Sequence, residues 1–149
     1  MLRVSAPSEE ENAQDRKPTG TVRIQPRLGS LVFCDVEGTV RRAGVIKDIL
    51  YLPPKGEEPF KIRYEFENTG NADILLSGEF FVLDHAGALV VKNDLTPIRL
   101  FPADRGSAET EWSGSLEPGT YHAIVHFELG PDAQEVIVRE HDFIVPEDE

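Results

Sequence analysis

Phe60-Lys61-Ile62-Arg63-Tyr64-Glu65-Phe66-Glu67-Asn68-Thr69-Gly70-Asn71 decides the class of fold. Phe60, Ile62, Tyr64 and Phe66 alternate with Lys61, Arg63, Glu65 and Glu67. Side chains on an extended chain project to opposite faces in turn, so the run has one apolar and one charged face. Asn68 to Asn71 then read as a polar turn: Gly and Asn accept backbone conformations other residues resist, and Asn bonds back to its own chain. Ile74 to Leu83 resumes an extended pattern. The two runs therefore read as a strand pair joined by a tight turn. In the second run Ile74, Leu76, Gly78, Phe80 and Val82 share one face, and Leu75, Ser77, Glu79, Phe81 and Leu83 share the other. Both faces carry large apolar residues.

Working outward toward the C-terminus, Asp84-His85-Ala86-Gly87 has the Asp-first, Gly-last order of a type I turn. Ala88 to Val91 reads as a short strand and Asn93-Asp94 as a reversal. Pro97 to Phe101 reads as an edge strand bounded by prolines, which cannot donate to a ladder. Ala103 to Ser107 reads as loop, and Ala108 to Trp112 alternates weakly. Thr120 to Leu129 is a strong strand, with Tyr121, Ala123, Val125, Phe127 and Leu129 on one face. Glu135 to Val145 is the last.

Toward the N-terminus, Thr39 to Leu50 reads as one or two strands with a break near Gly44. A short helix over 45–52 is the weaker alternative, because β-branched residues lose side-chain freedom in helices. Leu31 to Val36 is apolar enough for a buried strand, with Cys34 as a small buried hydrophobe. Thr21 to Gln25 and Leu2 to Ser5 have strand character, and Ala6 to Gly20 is a polar loop. The sum is roughly eight to ten short strands with turn signals about every 8–12 residues, and no helix pattern. That predicts an all-β, antiparallel sandwich.

Composition narrows the function. The 149 residues suffice for one domain with a core of its own. Net charge is −12, with 27 acidic and 15 basic residues, which disfavours nucleic acid and anionic membrane surfaces as partners. The single cysteine excludes an internal disulfide. No run is long and apolar enough to span a membrane, so membrane association is expected only through a segment missing from this sequence.

Phe66 to Asn71, Gly78, Asp84 to Gly87 and Leu116-Glu117-Pro118-Gly119-Thr120-Tyr121 together resemble the immunoglobulin-like β-sandwich domains of bacterial cell-envelope proteins, relatives of pilus-assembly chaperones and of cell-surface adhesion modules. In that family a Leu-Pro-Pro-Gly-Xaa-Tyr-like segment opens a late strand; here Glu117 stands where the first Pro often sits. The resemblance spans roughly residues 57–145. It implies an immunoglobulin-like sandwich with Greek-key-type connections and implies no catalytic residues. It also implies a division into residues 1–37, as N-terminal strands and an acidic loop left from a preceding domain, and 38–149, as the sandwich. The competing reading makes the early strands the first strands of one sandwich. The location follows from that choice: cell envelope or extracellular for a piece of an exported protein, cytoplasmic if Met1 is the true start.

The chemistry-bearing residues form no familiar catalytic pattern. His122 and His126 share one face of a strand but lie about 13 Å apart, too far for one metal ion. His141 with Glu128 or Glu140 would be needed to build a zinc site. Ser113-Gly114-Ser115 is turn-like, not a nucleophile elbow. Asp94, Asp104 and Asp132 fall in loops, as calcium ligands do, but without a spaced motif. No cofactor and no enzyme activity are expected. The oddity is the second face of Ile74 to Leu83, where Leu75, Phe81 and Leu83 make an apolar contact stripe. The N-terminal strands, a second copy in a homodimer, or another protein or neighbouring domain would cover it. The expected function is protein contact: assembly, adhesion or spacing. The alternative is a carbohydrate-binding or enzyme-accessory domain, with Trp112 or Tyr51 as an aromatic platform; a cytoplasmic structural protein is a further alternative.

Overall fold

The structure, a computed structural model, describes residues 25–30, 32, 34–133 and 135–147. The chain divides between Phe33 and Cys34. In the first unit, residues 25–30 and 32 are irregular and exposed. The expected strand at 2–5, the loop at 6–20 and residues 21–24 lie outside the described residues.

The second unit is an all-β sandwich of eight strands: β1 Gly44–Leu52, β2 Phe60–Asn68, β3 Ile74–Leu83, β4 Leu89–Asp94, β5 Ile98–Leu100, β6 Arg105–Trp112, β7 Gly119–Glu128 and β8 Val136–Val145. One sheet has the order β1-β2-β6. The other has the order β4-β3-β7-β8, with β5 also on β3. Every pairing is antiparallel. The residues read as alternating deliver the core: Phe60, Ile62, Tyr64 and Phe66 of β2 face Ile74, Leu76, Phe80 and Val82 of β3 and Ala123, Val125 and Phe127 of β7, all buried. Phe60 stacks on Phe143 at 5.0 Å, and Tyr64 meets the Phe127 ring edge-on at 5.1 Å.

Three expectations need correction. First, β2 and β3 are consecutive but unpaired: they lie in different sheets, so Asn68 to Asn71 turns a corner across the core and does not close a hairpin. Asn68, 1% exposed, pins that corner. Its Nδ2 donates to the carbonyls of Ala72 (2.8 Å) and Leu100 (3.0 Å), and its Oδ1 accepts from the Gly70 amide (2.9 Å). The strap at residues 39–43 lies against the same corner: Thr69 donates to the Ala43 carbonyl, Asn71 to that of Arg41, and a Cβ on Gly70 would collide with the Arg41 carbonyl.

Second, the region 31–36 makes no strand at its described residues. Val32, Cys34, Asp35 and Val36 are exposed and irregular. Cys34 is thus an exposed thiol and not a buried hydrophobe. The apolar run is interrupted at once by Asp35 and Glu37 and never acquires a ladder partner among the described residues. Third, strand limits moved outward where side-chain alternation was weak. β4 runs through Asn93-Asp94, because Phe80 and Glu79 supply them with partners, and β6 starts at Arg105, opposite Glu67.

The break expected near Gly44 is a bulge at Lys47 within an otherwise continuous β1, and no helix forms there. Gly78 marks a second irregularity. β3 pairs with β5 through Ile74–Leu76 and with β4 through Glu79–Leu83, and between them Gly78 has φ +152°. A Cβ here would strike the His126 carbonyl, so only glycine lets β7 approach this closely.

Candidate functional site

The two outer faces of the sandwich differ in chemistry. On β1-β2-β6 three odd-numbered residues of β2, Lys61, Arg63 and Glu67, stand opposite β6 partners of opposite sign, Glu111, Glu109 and Arg105. Lys61 reaches Glu111 at 2.8 Å, Arg63 reaches Glu109 at 2.6 Å, Lys47 reaches Glu67 at 3.2 Å, and Arg105 reaches the same Glu67 at 3.1 Å. The hydrogen bonds from Arg63 and from Lys47 and Arg105 hold the Glu109 and Glu67 carboxyls below the usual carboxylate range, and Glu111 raises the Lys61 ammonium. The charges of this face are largely paired with one another, and Val45 and Leu50 are exposed on its edge strand β1. Exposed ion pairs of this kind are screened by solvent and contribute little to stability.

The outer face of β4-β3-β7-β8 is built differently. Register places Leu89, Leu83, His122 and Asp142 in one cross-strand row and Lys92, Phe81, Ile124 and Glu140 in the next. The Phe81 ring lies 5.5 Å from the Lys92 ammonium, and its edge meets the His126 ring at 6.1 Å. Leu89 is 55% exposed, while Phe81, Leu83 and Ile124 are half-buried by their neighbours. Two of the three stripe residues, Phe81 and Leu83, thus join Leu89 and Ile124 in one apolar patch. Leu75 is exposed too, but it sits beside Arg99, about 20 Å along β3 from Phe81. Leu89 and Ile124 were not singled out from the sequence. Leu89 meets Leu83 across the β3–β4 hairpin, whereas the register that sets Ile124 beside Phe81 is a long-range property.

Acidic groups rim the patch: Glu79, Asp94, Glu128, Glu140 and Asp142. The nearest cation, Lys92, is bound to Glu79 at 2.9 Å. His122 bridges to the rim, with Nδ1 2.5 Å from Asp142 and Nε2 3.5 Å from Glu140. The Asp142 hydrogen bond, more than Glu140, raises its pKa above the ordinary histidine value.

The remaining candidates are dispersed. Trp112 ends β6 half-buried against the core, with Gly114 so close to the indole that a Cβ there would collide with it. Tyr51, on β1, stacks on His141 with ring centroids 4.5 Å apart; its hydroxyl is buried without a hydrogen bond to any described residue, and burial pushes its pKa up to about 12. His122 and His126 share the outer face of β7, but His141 projects to the inner side of β8 and meets neither. Asp94 lies on β4, Asp104 accepts from the Phe101 amide within its own turn, and Asp132 lies 3.8 Å from Arg42. Among the described residues, no three His, Cys, Asp or Glu side chains converge to hold a metal ion.

No family model matches the chain, and no curated protein matches it. Among solved structures, the C-terminal domain of wzt is similar at 11% identity and a TM-score of 0.48, over 74% of this chain and 86% of that one. A beta-glucosidase 3B from Thermotoga neapolitana, solved in complex with glucose, is similar at 16% identity and a TM-score of 0.48, over 71% of this chain and 16% of that one. Both likenesses are distant. Among the described residues no helix is long and apolar enough to cross a membrane.

Proposed function

We propose that this chain is a non-enzymatic, immunoglobulin-like sandwich module that works by protein contact through the outer face of β4-β3-β7-β8. The observation that carries the reading is the contrast between the two outer faces. One satisfies its own charges. The other holds Phe81, Leu83, Leu89 and Ile124 together within an acidic rim. Apolar side chains gathered on a surface are favourable only once something covers them.

Two features support the immunoglobulin-like assignment. The order β1-β2-β6 against β4-β3-β7-β8 corresponds to strands A-B-E against C-F-G, with an added strand beside C. Tyr121, at the start of β7, donates its hydroxyl to the Glu117 carbonyl at 2.7 Å, the arrangement of the tyrosine corner found in such folds. On this reading the setting is a cell envelope or surface, and the contact serves assembly, adhesion or spacing.

The test is site-specific photo-crosslinking in the cells that make the protein. A photo-reactive amino acid replaces Leu83 in one variant and Arg63, on the opposite face, in another. Protein adducts from position 83 alone are expected. Equal adducts from both positions, adducts from position 63 alone, or none from either would sink the reading.

A further inference from the structure

We infer that the occupant of this face is a different protein, one that presents lysine or arginine side chains around an apolar patch, and is not a second copy of this chain. The inference rests on the contact reading above and goes on to specify the partner. The patch is bordered by carboxylates on four strands, Glu79 on β3, Asp94 on β4, Glu128 on β7, and Glu140 and Asp142 on β8, with Val136, Val138 and Ile144 of β8 also exposed on this face. Lys92, the cation of the central rows, is already committed to Glu79 and to the Phe81 ring.

A twofold pairing of two such faces would set acidic rim against acidic rim as the apolar patches met, and the like charges would oppose the contact. A head-to-tail contact fares no better. The opposite outer face would have to supply the cations, and there Lys47, Lys61, Arg63 and Arg105 each already hold a carboxylate. Neither a face-to-face nor a face-to-back pairing of two copies therefore brings unpaired cations of these two faces to Glu140, Asp142 and Asp94. A partner with unpaired basic side chains does so, and it gains steering from the net charge of −12 as well. His122 fits the same picture: its two ring nitrogens lie against Asp142 and Glu140, the position that a partner's lysine or arginine would take.

The full chain is titrated with three short synthetic strand peptides in which leucine alternates with lysine, with glutamine or with glutamate. Binding is read from backbone amide shifts. The lysine peptide is expected to move the amides of Phe81, Leu83, Ile124 and Glu140 and to lose about tenfold in affinity between about 50 and 300 mM salt, as screening of close charges requires. The glutamate peptide is expected to leave them unmoved. Glu140→Lys with Asp142→Lys should weaken the lysine peptide about tenfold, while Glu111→Lys on the other sheet should not.

If the glutamine peptide binds this face as tightly as the lysine peptide, the contact reading stands and the basic-partner inference falls. If the lysine peptide binds only elsewhere, or nowhere, both fall. Sedimentation of the chain alone supplies the remaining arm: a concentration-dependent dimer abolished by Phe81→Asp would make the second copy the occupant and overturn the inference.

Discussion

Replacing Asn68 by alanine should destabilise the sandwich by about 3–4 kcal/mol. The side chain is 1% exposed and makes three hydrogen bonds, two donated to the Ala72 and Leu100 carbonyls and one accepted from Gly70. This arrangement also fixes the amide orientation, since a flipped group would aim its oxygen at two carbonyls. Each bond is worth about 1 kcal/mol net, and an unpaired buried acceptor adds more. With a denaturant slope of about 1.5 kcal/mol per molar urea, the midpoint should fall by about 2 M at unchanged slope. Asn68→Asp sharpens the test. It keeps the bond from Gly70 but sets a carboxylate against two carbonyl oxygens, so at neutral pH it should be less stable than the alanine variant. The introduced carboxyl has a raised folded-state pKa. Its deficit therefore grows as pH rises through that value and shrinks as the group is protonated in acid. Urea melts followed by Trp112 fluorescence at pH 4 and pH 7 read both effects. A midpoint shift under about 0.5 M for Asn68→Ala, or an aspartate variant with no recovery in acid, would refute the account of the corner.

The same chemical change should have opposite signs at two tyrosines. Tyr121→Phe loses the bond to Glu117 and should cost about 1 kcal/mol, whereas Tyr51→Phe removes a buried hydroxyl without a partner among the described residues and should gain about as much. Because the folded-state pKa of Tyr51 is raised to about 12, the parent loses stability between about pH 10 and 12 and Tyr51→Phe does not; thermal melts across that range should diverge further, with the parent falling below Tyr51→Phe, if this residue governs alkaline stability, and remain parallel if it does not. Gly78→Ala should cost about 3 kcal/mol, from the backbone conformation and the collision with the His126 carbonyl; a thermal midpoint within a degree or two of the parent would contradict the close approach of β3 and β7.

The strands that were legible in the sequence are those whose alternation coincides with complete burial of one face. β2 and β7 are the clearest: every residue assigned to the apolar side is buried, from Phe60 to Phe66 and from Tyr121 to Leu129. The role of the corner was not legible from turn chemistry, because Asn-Thr-Gly-Asn suits an in-plane reversal as well as a crossing between sheets. A signal existed all the same. Asn68 has the parity of Phe60, Ile62, Tyr64 and Phe66, which points an amide into the core and demands partners for it there. β6 was faint because its inward residues are Gly106, Ala108, Thr110 and Trp112, and the buried one, Thr110, is polar and accepts a bond from the Thr96 amide. Phe81 and Leu83 were visible as apolar residues on the wrong side of β3. Ile124, and with it the acidic rim that β8 adds beside β7, depends on a pairing between residues more than forty positions apart, Phe81 with Ile124, whereas Leu89 pairs with Leu83 across a short hairpin.

The corner also governs how the fold assembles. β1 with β2, β3 with β4, and β7 with β8 are neighbours in sequence and join through short connections. The β2–β6 and β3–β7 pairings instead close long loops, each at an entropic cost of about 3 kcal/mol taken alone. Yet β2 leads into β3 through the Asn68 corner, and β6 leads into β7 through the short segment 113–118. Forming either pairing brings the ends of the other together, so one loop closure serves both sheets. Neither sheet should persist without the other. Unfolding followed at Trp112 in the β1-β2-β6 sheet and at amides of β7 in the other should give a single, superimposable transition.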